Sequence, residues 1–241
     1  MRISRVYVDH ALPTGSEVSL DSRASRYLTQ VLRLRACDRL ILFNGDGNDI
    51  EAELLSCDKR GCSVRLLRIT SSESPPSLAI HLAIGISRGE RMDYALQKSV
   101  ELGVQSITPL ITERTVVQLK GDRITQRTAH WQGIVASACE QSGRSILPDL
   151  SMPTELTTWL ARSQGGFMLH HAAENGFAAF PAPTTQTTLL IGPEGGLTEH
   201  ERALATASGF EAVRMGPRVM RTETAPVAAI AAIQTLWGDF R

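Results

Sequence analysis

The last third of the chain holds two loops whose residue types could bind a ligand. One reads GPEGG at residues 192–196 and follows the apolar, β-prone run 187–191. The other reads GPRVMRTETA at residues 216–225 and follows the apolar run 210–215. Loops beyond the carboxyl ends of strands are where α/β sheets bind ligands, and glycine lets the backbone approach a ligand without an intervening Cβ. Each loop could equally be a tight turn between a strand and a helix.

The second loop contains Arg221, Thr222, Glu223 and Thr224, which is more than a helix start requires. The structural alternative is that Thr222 or Thr224 caps the helix that follows, with Glu223 in its first turn. Neither GxGxxG nor GxxxxGK[ST] occurs, so the sequence supports neither a Rossmann dinucleotide site nor a P-loop.

The composition predicts a globular protein with no bulk attraction for nucleic acid. The chain has 241 residues and a net charge of zero, and 42% of its residues are hydrophobic. Its length suits one large domain or two small ones. A basic patch is nevertheless possible between residues 21 and 39, although a solvated helix face is the plainer interpretation. The arginines of that stretch are Arg23, Arg26, Arg33, Arg35 and Arg39.

Cysteine and histidine usage predicts neither disulfides nor a metal centre. The four cysteines are Cys37, Cys57, Cys62 and Cys139. They show no CxxC spacing and are expected to be reduced thiols of a cytoplasmic protein. His170 and His171 are adjacent on a predicted strand and should point to opposite faces, so they should not share an ion. No apolar run approaches the roughly 20 residues of a membrane span, and the N-terminus shows no signal-peptide pattern.

The first part of the chain predicts a small barrel. A short strand at residues 4–8 precedes a helix that starts at Asp21 or Ser22. Strand-like runs follow at residues 39–43, 50–55 and 62–69. The polar segment 71–77 contains paired prolines and is the clearest linker, so we predict domains at residues 1–72 and 77–241.

Strands and helices alternate after that linker. Predicted strands cover residues 78–86, 106–111, 166–170, 187–191 and 210–215. Predicted helices cover residues 91–102, 124–139 and 153–161, and Thr198 with Glu201 forms a capping box that opens a further helix. This alternation predicts an α/β domain with a mostly parallel sheet and helices on both faces.

Six segments in order resemble one family, the ribosomal RNA uridine-N3 methyltransferases of the RsmE type. They are IGPEGG at 191–196, MGPRVMRTETAPVAAIAAIQ at 215–234, RGERMD at 88–93, QKSVELGV at 97–104, residues 107–117 around Thr112-Glu113-Arg114, and EQSGR at 140–144. The resemblance covers nearly the whole chain. One departure is Cys37, which precedes Asp38 where family members often have glycine, and this makes the turn there less certain.

The resemblance implies an N-terminal PUA-like RNA-binding β-barrel and a C-terminal α/β trefoil-knot (SPOUT) domain. Knots are essentially absent from proteins, so only the family likeness supports a knot in residues 192–232. It also implies S-adenosylmethionine (SAM) as cofactor, a homodimer, and methylation of uridine N3 in the 16S RNA of the small ribosomal subunit. Two rival functions are a knotted methyltransferase acting on ribose 2′-OH or tRNA, and a non-catalytic RNA-binding or assembly protein.

The same resemblance implies the site residues. The catalytic pair would be Arg221 and Glu223: an arginine could hold negative charge on the uracil carbonyls, and Glu223 could accept a proton or fix the base edge. The implied cofactor-binding residues are Leu169, His170, Ile191, Gly192, Pro193, Gly195, Gly196, Met215, Gly216, Val219, Met220, Arg221, Thr222, Thr224 and Ala225. The candidate RNA-binding residues are Arg23, Arg26, Arg33 and Arg35 from the basic stretch, and Arg88, Arg91, Arg114 and Arg144, which lie in the segments that carry the resemblance.

Overall fold

The computed structural model describes residues 3–58, 61–117 and 121–240 and divides into two units. The first unit comprises Met1–Pro75 and Ala136–Leu147, and the second comprises Pro76–Val135 and Pro148–Arg241. The predicted linker falls at the first of these divisions. Residues 136–147, which the linker position alone would assign to the second domain, group with the first unit instead.

A five-stranded sheet forms the first unit. Its strands are β1 (Arg5–Tyr7), β2 (Glu17–Ser19), β3 (Arg39–Phe43), β4 (Asn48–Asp58) and β5 (Gly61–Ser72). Their order is β1-β3-β4-β5-β2; β1 is parallel to β3 and the other pairs are antiparallel. The apolar side chains of β3, β4 and β5 are buried together in one core, in which Leu40, Leu42 and Leu66 are fully enclosed. The strand β2 escaped prediction because it has only three residues, none of them buried.

The helix of the first unit ends in a strained segment. α1 (Ser22–Arg26) is capped by Asp21, whose carboxylate accepts from the Ala24 N–H at 2.6 Å, and it continues as a π-helical turn at Tyr27–Val31. Arg33 follows with φ 54°, and Cys37 has φ 72°. Left-handed backbone favours glycine, which is the residue that family members often carry at the Cys37 position.

Two of the cysteines contradict the expectation of reduced thiols. Cys57 and Cys62 lie directly opposite each other on β4 and β5, with Cα atoms 4.0 Å apart, and form a disulfide. Cys37 and Cys139 are free. The prediction used motif spacing alone and overlooked that four intervening residues are what a hairpin needs to bring two cysteines into register.

A parallel sheet organises the second unit, as predicted. Its strands are β6 (Ala79–Gly85), β7 (Ser106–Ile111), β8 (Asp149–Leu150), β9 (Thr154–Glu155), β10 (Gly166–Leu169), β11 (Gln186–Ile191) and β12 (Phe210–Val213). The order is β12-β10-β11-β6-β7-β8, with β9 also on β7, and every pair is parallel. Strand β6 is an almost unbroken apolar run because the central strands of such sheets are covered on both faces.

The helices of the second unit are α2 (Glu90–Glu101), α3 (Asp122–Ser142), α4 (Leu156–Leu160), α5 (Glu199–Ala207) and α6 (Thr224–Trp237), with a 3₁₀ turn at Phe177–Ala179. The predicted capping box is present at α5. The predicted helix 153–161 is too long, because Thr154–Glu155 pairs with β7 before α4 begins. No helix within the described ranges is both long enough and apolar enough to span a membrane.

The last turns of α3 and the loop after it belong to the first unit, which two acidic side chains explain. Asp49, 7% exposed, accepts hydrogen bonds from Arg5 and from the Ser145 hydroxyl, the latter at 2.5 Å. Glu73 accepts from the backbone N–H groups of Ser145 and Ile146, the latter at 2.7 Å. A carboxylate as buried as Asp49 is stable only when it is paired. Asp49 and the more exposed Glu73 together fix the loop to the first unit.

Candidate active site

A cavity of about 610 Å³ lies in the second unit where β10, β11 and β12 end. Both glycine-rich loops identified in the sequence border it, together with the start of α6. Strands β10 and β11 are adjacent and parallel, so their carboxyl ends lie at the same edge of the sheet. Such a position, outside the carboxyl ends of strands, is where open α/β sheets bind ligands.

The cavity brings together residues that are far apart in the sequence. Every predicted cofactor-binding residue lines it except Thr224, which is the exposed first residue of α6. The predicted catalytic residues Arg221 and Glu223 line it as well, as do Arg91 and Arg114 from the RNA-binding set. Arg88 does not line it.

Two glycines leave open space beside their backbone. Gly196 has φ 68° and Gly216 has φ 75°, and a Cβ built at either would meet no protein atom within 4 Å. Because both residues line the cavity, the space that their missing side chains leave belongs to it. A ligand can therefore approach these two backbones closely, which suits a flat adenine ring lying against peptide groups.

Gly195 lines the cavity and also makes room for a neighbouring side chain. Its φ is not in the left-handed region, and a Cβ there would lie 3.1 Å from Cβ and 3.2 Å from Cδ of Arg114. The Arg114 guanidinium donates from Nη1 to the Gly195 carbonyl at 2.7 Å. The absence of a side chain at Gly195 thus makes room for the arginine stem.

The loop before α6 presents a carboxylate and a guanidinium side by side. Glu223 accepts from the Thr222 hydroxyl at 3.3 Å, and its Oε1 lies 4.0 Å from Nη1 of Arg221. Only 19% of the Glu223 side chain is exposed, against 78% for Arg221. Glu223 is itself the N-cap residue of α6 and makes no capping hydrogen bond, so the alternative in which Thr222 or Thr224 caps this helix is wrong.

Histidines at the end of β10 also face the cavity. The strand ends at Leu169, so His170 and His171 lie in the loop and their rings are 5.2 Å apart, not on opposite faces of a strand. Burial, the nearby Arg202 charge and His171 lower the pKa of His170 below its ordinary value. Across residues 3–58, 61–117 and 121–240, no three His, Cys, Asp or Glu side chains are grouped so as to hold a metal ion.

Glu194 connects the first loop to the chain that follows β6. Its Oε1 accepts from the Arg88 backbone N–H at 2.9 Å and lies 3.5 Å from Nη1 of Arg91. Burial alone would raise the pKa of Glu194, but these hydrogen bonds and the charges of Arg91 and Arg88 outweigh it and lower the pKa overall. The carboxylate is therefore ionised at neutral pH and holds Arg91 at the rim of the cavity.

Five arginines and two glutamates line the cavity, which makes it electropositive and suited to a polyanion. Sequence reasoning missed Arg202, Arg218, Glu194 and His171. The signal for Arg202 was its place in the first turns of α5, directly after the GPEGG loop. Its guanidinium donates to the Leu197 carbonyl at 2.6 Å.

The remaining predicted RNA-binding arginines lie in the first unit. Arg26, Arg33 and Arg35 are exposed, and we call them the arginine strip. Arg23 is engaged by Glu140 at 3.2 Å and by the Tyr7 carbonyl at 2.5 Å. Arg144 lies 3.6 Å from Glu73, and only 11% of its side chain is exposed. It is therefore less accessible to RNA than the arginines of the strip.

Comparison with known protein families shows which class of protein has this fold. The RNA methyltransferase domain family matches residues 73–234, and the RNA methyltransferase PUA domain family matches residues 20–67. The fold is therefore that of an RNA methyltransferase with an N-terminal PUA domain. This confirms the predicted PUA domain and the α/β domain with a parallel sheet, whereas the knot stays a prediction.

Similar proteins show which family of RNA methyltransferases this chain belongs to. Ribosomal RNA small subunit methyltransferase E of Buchnera aphidicola subsp. Schizaphis graminum is 35% identical over 99% of this chain and 98% of its own length. The enzyme of that name from Bacillus subtilis is 30% identical over 91% of this chain and 88% of its own. Ribosomal RNA small subunit methyltransferase E of Neisseria gonorrhoeae, solved with S-adenosyl methionine bound, superposes with a TM-score of 0.92 at 39% identity over all of both chains. A Legionella pneumophila protein solved with the cofactor SAM gives a TM-score of 0.96 at 36% identity over all of both chains. The chain belongs to the ribosomal RNA small subunit methyltransferase E family.

Proposed function

We propose that this protein transfers a methyl group from SAM to N3 of a uridine in the 16S RNA of the small ribosomal subunit. The observation that carries the proposal is the cavity itself. Both glycine-rich loops and the Arg221–Glu223 pair border one space at the ends of three strands, in a chain of the small-subunit RNA methyltransferase family.

The lining fits the proposed cofactor. Leu169, Ile191 and Met215 offer apolar surface for an adenine ring, and the open backbones of Gly196 and Gly216 offer peptide groups for its polar edge. When bound, SAM supplies an electrophilic methyl group on its sulfonium. The residues of this chain then have to bind the uracil, take its N3 proton and stabilise the charge left behind.

We assign the last two of these tasks to Glu223 and Arg221. Glu223 is partly shielded from water and would accept the proton from N3, so that the N3 lone pair would be free to displace the thioether from the methyl carbon. Arg221 is exposed to the cavity and holds the negative charge that develops on the uracil carbonyl oxygens. The Thr222 hydroxyl keeps the carboxylate oriented through its hydrogen bond.

The arginine strip and the rest of the PUA domain would bind parts of the RNA other than the base that is methylated. We further propose a homodimer, a cytoplasmic location set by the ribosomal substrate, and the trefoil knot in residues 192–232. These follow from the family resemblance.

The test combines one substitution with two assays. Arg221→Ala removes a guanidinium that is mostly exposed and 4.0 Å from its partner, so folding should be unaffected. Losing one such charge-stabilising donor should slow single-turnover methylation of small-subunit RNA by about 10²–10³, whereas SAM affinity by calorimetry should change far less. Methylation at the wild-type rate contradicts the catalytic assignment.

Base-resolved mapping of RNA methylation in a deletion strain distinguishes the rival functions. Loss of a single uridine-N3 methyl group in 16S RNA is the expected result. Loss of a ribose 2′-O-methyl group or of a tRNA modification favours another reaction. No lost modification, with SAM still bound by the purified protein, favours a non-catalytic RNA-binding protein.

A further inference from the structure

Arg114 is held at the rim of the cavity by two contacts with Gly195. Its stem packs on Gly195 and its Nη1 donates to the Gly195 carbonyl at 2.7 Å. A guanidinium carries five N–H donors, so this bond leaves most of them for a ligand. The residue is exposed and lies just after β7, in a turn closed by the Thr115 N–H to Thr112 carbonyl bond at 3.0 Å.

The turn that carries Arg114 is tied to helix α5 by a buried carboxylate. Glu201 on α5 is 2% exposed. Its Oε2 accepts from the Thr198 N–H at 2.8 Å, which completes the capping box of α5. Its Oε1 accepts at 2.8 Å from the backbone N–H of Glu113, 88 residues earlier in the chain.

That second bond has no part in capping the helix. A capping box uses one oxygen of the residue at N3, and glutamine serves there as well as glutamate. The two N–H groups bind different oxygens of Glu201, and a glutamine would place an NH₂ donor at one of these two positions, so it would lose one of the bonds. The second oxygen of Glu201 therefore has a separate role, which is to hold the residue next to Arg114.

We infer that Glu201 is a positioning residue that fixes the Thr112–Thr115 turn so that Arg114 presents its guanidinium to a phosphate of the RNA substrate. The inference rests on the proposed function, which supplies the RNA. Glu201 itself touches no ligand and acts only through the Glu113 N–H. The phosphate is the expected target because Arg114 lies at the exposed rim of an electropositive cavity.

Two matched pairs of variants test the inference on the full-length protein. Glu201→Gln loses one of the two bonds, while Thr198→Ala weakens the same capping box and leaves the Glu113 bond intact. Glu113→Pro deletes the donating N–H at a turn position that favours proline, and Glu113→Ala keeps that N–H. The second pair leaves Glu201 and the helix cap untouched, so it decides the question if Glu201→Gln does not fold.

Binding of a small-subunit RNA fragment, measured without cofactor over a range of salt concentrations, is the main readout. Arg114→Ala should weaken binding about tenfold and reduce the salt slope by roughly 1. Glu201→Gln and Glu113→Pro should each lose nearly as much RNA affinity as Arg114→Ala does. Added to Arg114→Ala in a double variant, neither should weaken RNA binding further. Thr198→Ala and Glu113→Ala should bind as the wild type does. In turnover, the effect should fall on the KM for RNA more than on kcat.

Three results overturn the inference. One is an equal loss of RNA affinity in Glu201→Gln and Thr198→Ala, or in Glu113→Pro and Glu113→Ala. Another is a loss that persists when Arg114 is already alanine, and the third is wild-type RNA affinity in Arg114→Ala. These results leave the proposed methylation intact, whereas an enzyme that binds RNA as expected but methylates no ribosomal RNA refutes the proposed function alone.

Discussion

Alanine at Gly216 should separate the cost of backbone strain from the cost of filling the cavity. Gly216 has φ 75°, lines the cavity, and has no protein atom within 4 Å of the position a Cβ would take. Gly209 provides the matched control, because it lies at the other end of β12, has φ 86°, and would place a Cβ in ordinary contact, 3.6 Å from Gly165. Both substitutions strain the backbone alike, and only Gly216→Ala adds a methyl group to the cavity.

The two costs can be worked out separately. A left-handed backbone costs alanine about 1–2 kcal/mol, and the smaller entropy of the unfolded chain returns about 0.4–1 kcal/mol. Each variant should therefore lose roughly 1 kcal/mol of stability and about 2–4 °C in Tm. An extra methyl group in a close contact costs about 1–3 kcal/mol, so Gly216→Ala should also lose roughly five- to 150-fold in SAM affinity.

Thermal melting and calorimetric titration with SAM measure the two quantities. The expected pattern is equal loss of Tm in both variants and loss of SAM affinity in Gly216→Ala only. Wild-type SAM affinity in Gly216→Ala, or an equal loss in both variants, refutes the argument that the backbone at Gly216 contacts the cofactor.

Further predictions concern both units. Cys37→Gly should stabilise the protein by up to about 1 kcal/mol because it relieves a left-handed φ of 72°, whereas the neighbouring Ala36→Gly should destabilise it; thermal melting decides. Reversing the arginine strip to glutamate should weaken RNA binding and flatten its salt dependence without changing SAM affinity, and unchanged RNA binding favours a merely solvated helix face. Burial lowers the pKa of His81 below its ordinary value despite the opposing charge of Asp149. Below about pH 6.5 the unfolded chain therefore binds a proton at this histidine that the folded protein does not bind. Stability should therefore fall as the pH drops through that value, and His81→Gln, unlike the exposed His200→Gln, should flatten the fall in chemical denaturation.

Local patterns predicted the elements that carry the cavity. The apolar runs before residues 192 and 216 gave the strand ends, and the glycines after them gave the loops. The parallel sheet followed from the alternation of strands and helices. The chemical assignment of individual residues, in contrast, came from the family resemblance and stays a prediction.

Contacts between distant segments left no such signal. Nothing near Glu201 in the sequence indicates a bond to the Glu113 N–H, and nothing in the GPEGG loop indicates that Gly195 accommodates Arg114. The cysteine prediction failed for a different reason, because it ignored the five-residue spacing that places Cys57 and Cys62 opposite each other in a hairpin. Strand β2 was missed because three residues carry too little periodicity.

The membership of residues 136–147 in the first unit has a consequence for synthesis on the ribosome. The strands of that unit are complete once Ser72 has been made, but Ser145, which bonds to both Asp49 and Glu73, is made 73 residues later. At about 5–20 residues per second this is a delay of roughly 4–15 s. During that interval Asp49 has Arg5 as a partner but neither Asp49 nor Glu73 has its bond to Ser145, and most of the second unit has yet to emerge. The nascent N-terminal unit therefore reaches its final packing only after α3 is made, so its folding cannot finish as an independent first event.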